Sequence, residues 1–227
     1  MSDNKMPEAV IFDMDGLMFD TEKMSNDGFV KAFGQFGYSF PMELSRQMMG
    51  SNYSNMCTIV NRYYGKTMPL DEIMKIRQQY FNDYMEKYGL PVKPGLYELL
   101  SYLKENGIKT AVASSNDWDK IERNLKLSGL TDSFDVILSG EYLTESKPNP
   151  EIFIKTAERL GLPPQDCLVL EDTPRGEEAA NAAGIPVILI PDMIPIDRES
   201  TKRAAAVLPD LFGVIDYLED CSESCSA

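Results

Sequence analysis

Histidine does not occur anywhere in the 227 residues. Its absence removes Ser-His-Asp and Cys-His nucleophile systems, His-ligated zinc and phosphohistidine chemistry together. Cysteine is scarce: Cys57, Cys167, Cys221 and Cys225 form no Cys-x-x-Cys pair, and none has an arginine six positions later. The Cys-x5-Arg phosphate loop is therefore excluded as well. Cys167, in the apolar run CLVL, reads as a small core residue. Cys221 and Cys225 fall in the acidic, Ser-rich stretch DCSESCSA and read as part of a frayed, reduced tail. Long apolar runs are missing too, since none approaches the roughly 18 residues of a membrane span. The opening MSDNKMPEAV lacks the basic-then-apolar layout of a secretion signal, so a cytoplasmic location off the membrane is expected.

Positive charge is also in short supply. The net charge of −14 argues against nucleic acid and anionic lipid as partners, because little here would release phosphate counterions. The deficit is unevenly spread. Residues 19–90 carry eight acids (Asp20, Glu22, Asp27, Glu43, Asp71, Glu72, Asp83, Glu86) and eight bases, so the flanking parts hold the whole surplus. An anionic substrate would need a local cation: a metal ion, a placed lysine, or the neutral segment.

With 43% apolar and 26% charged residues, the chain can bury a core, and its length allows one large domain or a core with an insertion. Short apolar runs alternate with amphipathic stretches: AVIF (9–12), IKTAVA (108–113), DVIL (135–138), CLVL (167–170), PVILI (186–190) and AAVL (205–208). Near-continuous apolar strands of this kind suit a parallel sheet buried on both faces. Asn149-Pro150 opens one helix and Gly161 closes it; Thr173-Pro174 opens another, closed by Gly184. The alternation predicts a doubly wound, Rossmann-like α/β fold. Residues 19–90 break the rhythm, with Met, Tyr and Phe at helical spacing, which suits the core of a helical bundle. The expected division is an α/β core of 1–18 and 91–227, with a helical insert at 19–90.

In a doubly wound sheet, ligands bind beyond the carboxyl ends of the strands where strand order reverses. The residues there are Asp13-Met14-Asp15-Gly16 after the first strand and Ser114-Ser115-Asn116 after the second. Glu171-Asp172-Thr173 follow the fourth, and Lys147 precedes the Asn-Pro cap. Each alone is weak, because an acid after a strand is commonly a turn or cap residue and a lone lysine is commonly solvated. Asp-x-Asp-Gly also begins an EF-hand loop, but the later acids are not at loop spacing. Together, in order on one sheet edge, the four gain weight. Clustered carboxylates cannot all ionise without a cation among them. Oxygen-only ligands favour Mg²⁺. Lys147 would neutralise phosphate charge, and Ser114 with nearby backbone N–H groups would bind phosphoryl oxygens. With no His, Cys or Ser-base pair, a carboxylate is the remaining nucleophile.

These strings resemble the four motifs of the haloacid-dehalogenase superfamily: IFDMDGLMFDTE the first, AVASSN the second, ESKPNPEIF the third and VLEDTPRGEEAANAAG the fourth. The likeness spans nearly the whole chain, and the helical segment resembles the C1 cap of the phosphatase and β-phosphoglucomutase-like subfamily. The resemblance implies that Asp13 attacks phosphorus to form an aspartyl phosphate. Asp15 would protonate the leaving alcohol, activate water and offer its carbonyl to Mg²⁺. Ser114, Ser115, Asn116 and Lys147 would hold the phosphoryl group. Asp13, Asp15, Glu171 and Asp172 would make the metal site. A monomer acting on a small phosphorylated metabolite is expected.

Two rival readings share part of this pattern. A phospho-accepting receiver module would carry adjacent acids at the end of its first strand and no helical insert, unlike Asp13-x-Asp15 with the segment that follows. A sugar phosphomutase would use the same Asp13. The mutases that this chain resembles carry an Arg three residues after a cap Gly, where Gly50-Ser51-Asn52-Tyr53 places Tyr. They also have a His ten residues after the second motif-one Asp, where Ser25 stands. Both departures favour a phosphatase.

Overall fold

The computed structural model describes residues 6–49 and 53–224. Its chain divides into two compact units, one taking in residues up to Asp20 and from Val92 onward, the other Thr21–Pro91.

The first unit is built on a six-stranded, all-parallel sheet. Its strands are β1 (Ala9–Phe12), β2 (Lys109–Ser114), β3 (Val136–Ser139), β4 (Cys167–Glu171), β5 (Val187–Leu189) and β6 (Ala206–Val207), in the order β3-β2-β1-β4-β5-β6. The chain leaves β1 to place later strands on both of its sides, so the crevice of a doubly wound sheet opens at its carboxyl end. All four side chains of β1 are fully buried, as a strand covered on both faces requires. Register sets the site: Phe12 lies opposite Val112 on one side and Leu170 on the other. The next residues, Asp13, Ala113 and Glu171, therefore emerge at one level.

Two helices show how sequence signals become geometry. Helix α7 (Glu151–Leu160) buries Ile152, Phe153, Thr156, Ala157 and Leu160, a stripe at helical spacing that covers the sheet beside Ile11, Ala113 and Val169. Asn149 reaches past Pro150 to accept from the Glu151 N–H at 3.0 Å, and Gly161 ends the helix at φ 72°. Helix α8 (Pro174–Ala182) starts on Thr173, whose hydroxyl accepts from the Gly176 N–H at 3.1 Å.

Chain exit from this unit comes slightly later than 18. Phe19 is fully buried and bridges both Asp15 and Val92, which keeps residues 19 and 20 with the sheet. One expectation fails: Cys221 is not frayed but only 2% exposed, on the helix Phe212–Ser224. Cys225 lies outside the described residues.

The second unit is helical: Thr21–Gln35, Met42–Met48, Tyr53–Tyr64 and Leu70–Tyr88. Its core stacks Phe29, Phe33 and Phe40, with ring centroids 4.9–5.1 Å apart for the two pairs with Phe40. Within it lies a cavity of about 180 Å³, apolar along Phe29, Phe40, Met48 and Met74 and polar at Ser25, Asn26 and Arg77. Ser25 accepts from Arg77 Nη2 at 2.7 Å. Tyr53 donates to Asp71, whereas Gly50, Ser51 and Asn52 lie outside the described residues. Among the described residues no helix is long and apolar enough to cross a membrane.

Candidate active site

Lys147 is the centre of the cluster. Its Nζ donates to Asp13 Oδ1 at 2.6 Å, to Glu171 Oε1 at 2.7 Å and to the Ala113 carbonyl at 3.3 Å. The side chain is only 9% exposed and stands 4.8 Å from the Phe153 ring centroid. Burial by itself would lower its pKa, but the charges of Asp13 and Glu171 outweigh burial and raise it. Lys147 is therefore a fixed cation.

Asp13 is affected differently. Burial raises its pKa to about 7, against the pull of Lys147 and with the push of Glu171 and Asp15. One oxygen is held by Lys147, and no described residue donates to the other. Asp172 is 4% exposed, and no described residue donates to its carboxylate. Burial, then Glu171, Asp13 and Asp192, push its pKa well up. Gly16, at φ +82°, makes room for it: a Cβ there would lie 2.2 Å from Asp172 Oδ2.

Glu171 is fully committed. Oε1 accepts from Lys147, while Oε2 accepts from the Asp172 N–H (2.9 Å), the Thr173 N–H (3.0 Å) and the Thr173 hydroxyl (3.0 Å). Both of its oxygens are thus engaged, one by Lys147 and one by the Asp172–Thr173 turn. Asp15 points elsewhere again, its Oδ2 accepting from Asn116 Nδ2 at 2.7 Å and from Lys120 Nζ at 2.8 Å. Among the described residues no three acids form a ready-made metal cage. Of the four acids expected to hold a metal, Glu171 and Asp15 accept from lysines, whereas one oxygen of Asp13 and the carboxylate of Asp172 receive no donor from the described residues.

On the β2 side, Ser114 is 2% exposed and its hydroxyl accepts from Asn116 Nδ2 at 2.8 Å. Ser139 donates to the Asn116 carbonyl at 2.6 Å and fixes the turn. Ser115 is exposed, its backbone packed so closely on Gly140 that a Cβ there would lie 2.7 Å from the Ser115 carbonyl oxygen.

Sequence reasoning missed Lys120, Ser139 and Asp192. Lys120 was legible, since it lies one helical turn beyond Asn116 in the helix capped by Asp117. Asp192 follows the fifth strand, a strand end that carries no motif of its own. Ser139 carries no signal of its own, because only strand register shows that it faces Ser114.

The haloacid dehalogenase-like hydrolase family model matches residues 10–190. A Drosophila melanogaster protein named "Probable pseudouridine-5'-phosphatase" is 32% identical over 209 residues, 88% of each chain. The phosphorylated carbohydrates phosphatase of Thermotoga maritima is 31% identical over 182 residues, 78% of this chain and 82% of that one. A haloacid-dehalogenase-family hydrolase from Deinococcus radiodurans, solved with bound phosphate and sodium, superposes with a TM-score of 0.82 at 22% identity. That match covers 96% of this chain and 97% of the other, and it supports the fold. With its family model spanning β1 to the end of β5, the chain belongs to the haloacid dehalogenase-like hydrolases and is an enzyme of that class.

Proposed function

We propose that the protein is a Mg²⁺-dependent phosphatase that hydrolyses a small phosphorylated metabolite through an aspartyl phosphate on Asp13. The observation that carries the reading is the Asp13–Lys147–Glu171 chain at the crevice of the sheet. It presents one carboxylate oxygen for attack beside a buried cation. Lys147 would bind a phosphoryl oxygen and keep Asp13 from turning away. Ser114 and the N–H groups of the 114–116 turn would bind the other oxygens. Asp15, aimed by Asn116 and Lys120, would pass a proton to the leaving alcohol and later take one from water.

The donor set fits a hard divalent cation. Asp172 is a buried carboxylate that no described residue satisfies, it borders the space left by Gly16, and only oxygen ligands are at hand. Asp172, Asp13 and the Asp15 carbonyl would hold the ion, with Glu171 as the brace behind Asp172. When bound, Mg²⁺ would supply charge to offset the phosphoryl group and keep Asp13 ionised.

The helical insert is proposed to select the leaving group. A phosphomutase reading is less well supported, because Ser25 already partners Arg77 where the mutases carry His.

The test is phosphate release from a panel of phosphorylated metabolites. Activity is expected with Mg²⁺, none with EDTA, and none from Asp13→Asn, whose amide is near-isosteric but not nucleophilic. More than a few per cent of activity in folded Asp13→Asn would exclude the covalent route.

A further inference from the structure

A second ionic group lies beside the site, and the chemistry above does not use it. Lys93 Nζ donates to Asp192 Oδ1 at 2.6 Å and stands 3.7 Å from Asp20 Oδ1. The Lys93 backbone N–H donates to the Met18 carbonyl at 2.9 Å, so the residue is anchored to the loop that follows β1. Asp192 lies in the loop after β5. Its other oxygen, Oδ2, is buried and accepts no hydrogen bond from any described residue.

That oxygen is aimed. A Cβ built on Gly16 would lie 3.3 Å from Asp192 Oδ2 and 2.2 Å from Asp172 Oδ2. Two carboxylate oxygens thus border one small space that a missing side chain keeps open, and no described donor satisfies either. Like charges so placed repel unless something positive, or something that donates hydrogen bonds, stands between them. Lys93 cannot fill that role, since it holds Asp192 by the opposite oxygen. If Asp192 existed only to pair with Lys93, one oxygen would do, and the other would be expected to face water or a donor rather than a second buried acid.

We propose that Asp192, held by Lys93, is a positioning residue of the metal centre, with Oδ2 accepting from the hydration shell of the divalent cation beside Asp172. The inference rests on the metal reading above and adds a residue from the fifth strand end to it. Substitution of such outer partners characteristically weakens metal binding by about 10- to 100-fold.

The experiment uses the full chain without substrate. Mg²⁺ affinity is measured by calorimetry for the unaltered protein, Asp192→Asn and Lys93→Met, and the melting temperature of each chelated protein is recorded. In Asp192→Asn the single amide oxygen goes to Lys93, which turns the NH₂ group toward Asp172. Mg²⁺ affinity should then fall about tenfold or more, while the chelated protein melts no lower, because a like charge has left the neighbourhood of Asp172. A purely structural Lys93–Asp192 pair predicts the opposite pattern, with lower chelated stability and unchanged affinity. That result would overturn the inference, as would Mg²⁺ affinity within about twofold of the unaltered protein's. If Asp192→Asn does not fold, Lys93→Met is read in the same titration. It should also weaken Mg²⁺ binding, and unchanged affinity there would count equally against the proposal. Failure of the unaltered protein to bind Mg²⁺ at all would instead remove the metal reading itself.

Discussion

Gly176→Ala sets two known effects against each other. Gly176 lies in the first turn of α8 at an ordinary helical φ, where alanine normally adds about 1 kcal/mol of stability. Here the new Cβ would fall 1.7 Å from Glu171 Oε1 and 1.8 Å from its Cδ. Ordinary carbon contacts begin near about 3.5 Å, so the carboxylate must shift by roughly 2 Å. It would leave Lys147 and the N–H groups of Asp172 and Thr173 behind. Breaking a buried ion pair costs about 3–5 kcal/mol, and each buried N–H left unpaired about 1–3 kcal/mol. Allowing for relaxation of the loop, a net loss of about 3 kcal/mol is expected in urea unfolding, with turnover nearly abolished. The same substitution made in Glu171→Ala should regain the usual helical gain of about 1 kcal/mol, which a double-mutant cycle would show as strong coupling. Unchanged or increased stability of Gly176→Ala would refute the packing argument.

Three other outcomes follow from the geometry. Asp13 is raised from 3.8 to about 7, so the metal-free native state holds a proton that the unfolded chain releases between those values. That stability is present at the acid end and lost as pH rises through about 7. The chelated protein should accordingly melt lower at pH 8 than at pH 5.5, with most of the slope gone in Asp13→Asn. Lys120→Met removes a donor that aims Asp15, so turnover of an alkyl phosphate should drop roughly tenfold while p-nitrophenyl phosphate, which needs little protonation, is spared. Gly140→Ala would push a Cβ against the Ser115 backbone, which cannot yield as a side-chain tip can. KM for any phosphate ester should therefore rise more than kcat falls.

How much of this was legible depended on the range of the interaction. Strands such as AVIF and CLVL announce themselves because burial on both faces demands uninterrupted apolar residues, and they end within a residue of the expected positions. Asp13, Glu171 and Lys147 could be placed on one sheet edge from their positions after strands and before a cap. Their division of labour could not. That Glu171 spends both oxygens on Lys147 and the 172–173 backbone depends on a loop conformation, and a list of acids does not distinguish a brace from a ligand. Ser139 and Asp192 escaped for a related reason, since their relevance comes from strand register and from a loop that packs against Gly16.

The charge arrangement explains why such a site can exist in so acidic a chain. Asp13, Asp15, Asp20, Glu171, Asp172 and Asp192 are gathered around the ends of β1, β4 and β5, against Lys93, Lys120 and Lys147. Each lysine holds at least one acid at hydrogen-bonding distance, yet the acids remain in excess, and the excess is greatest at Asp172, which receives no ammonium from the described residues. The fold keeps that imbalance rather than relieving it: glycine at 16 and 176 leaves space where any side chain would displace a carboxylate. Unsatisfied buried carboxylates suit the proposed cation, which together with Lys147 would attract a phosphoryl group locally. Charges on the rest of the acidic surface are screened by salt beyond about 10 Å. The site would therefore work against the field of its own chain over a short distance only, which is the distance at which Lys147 and the proposed metal would act.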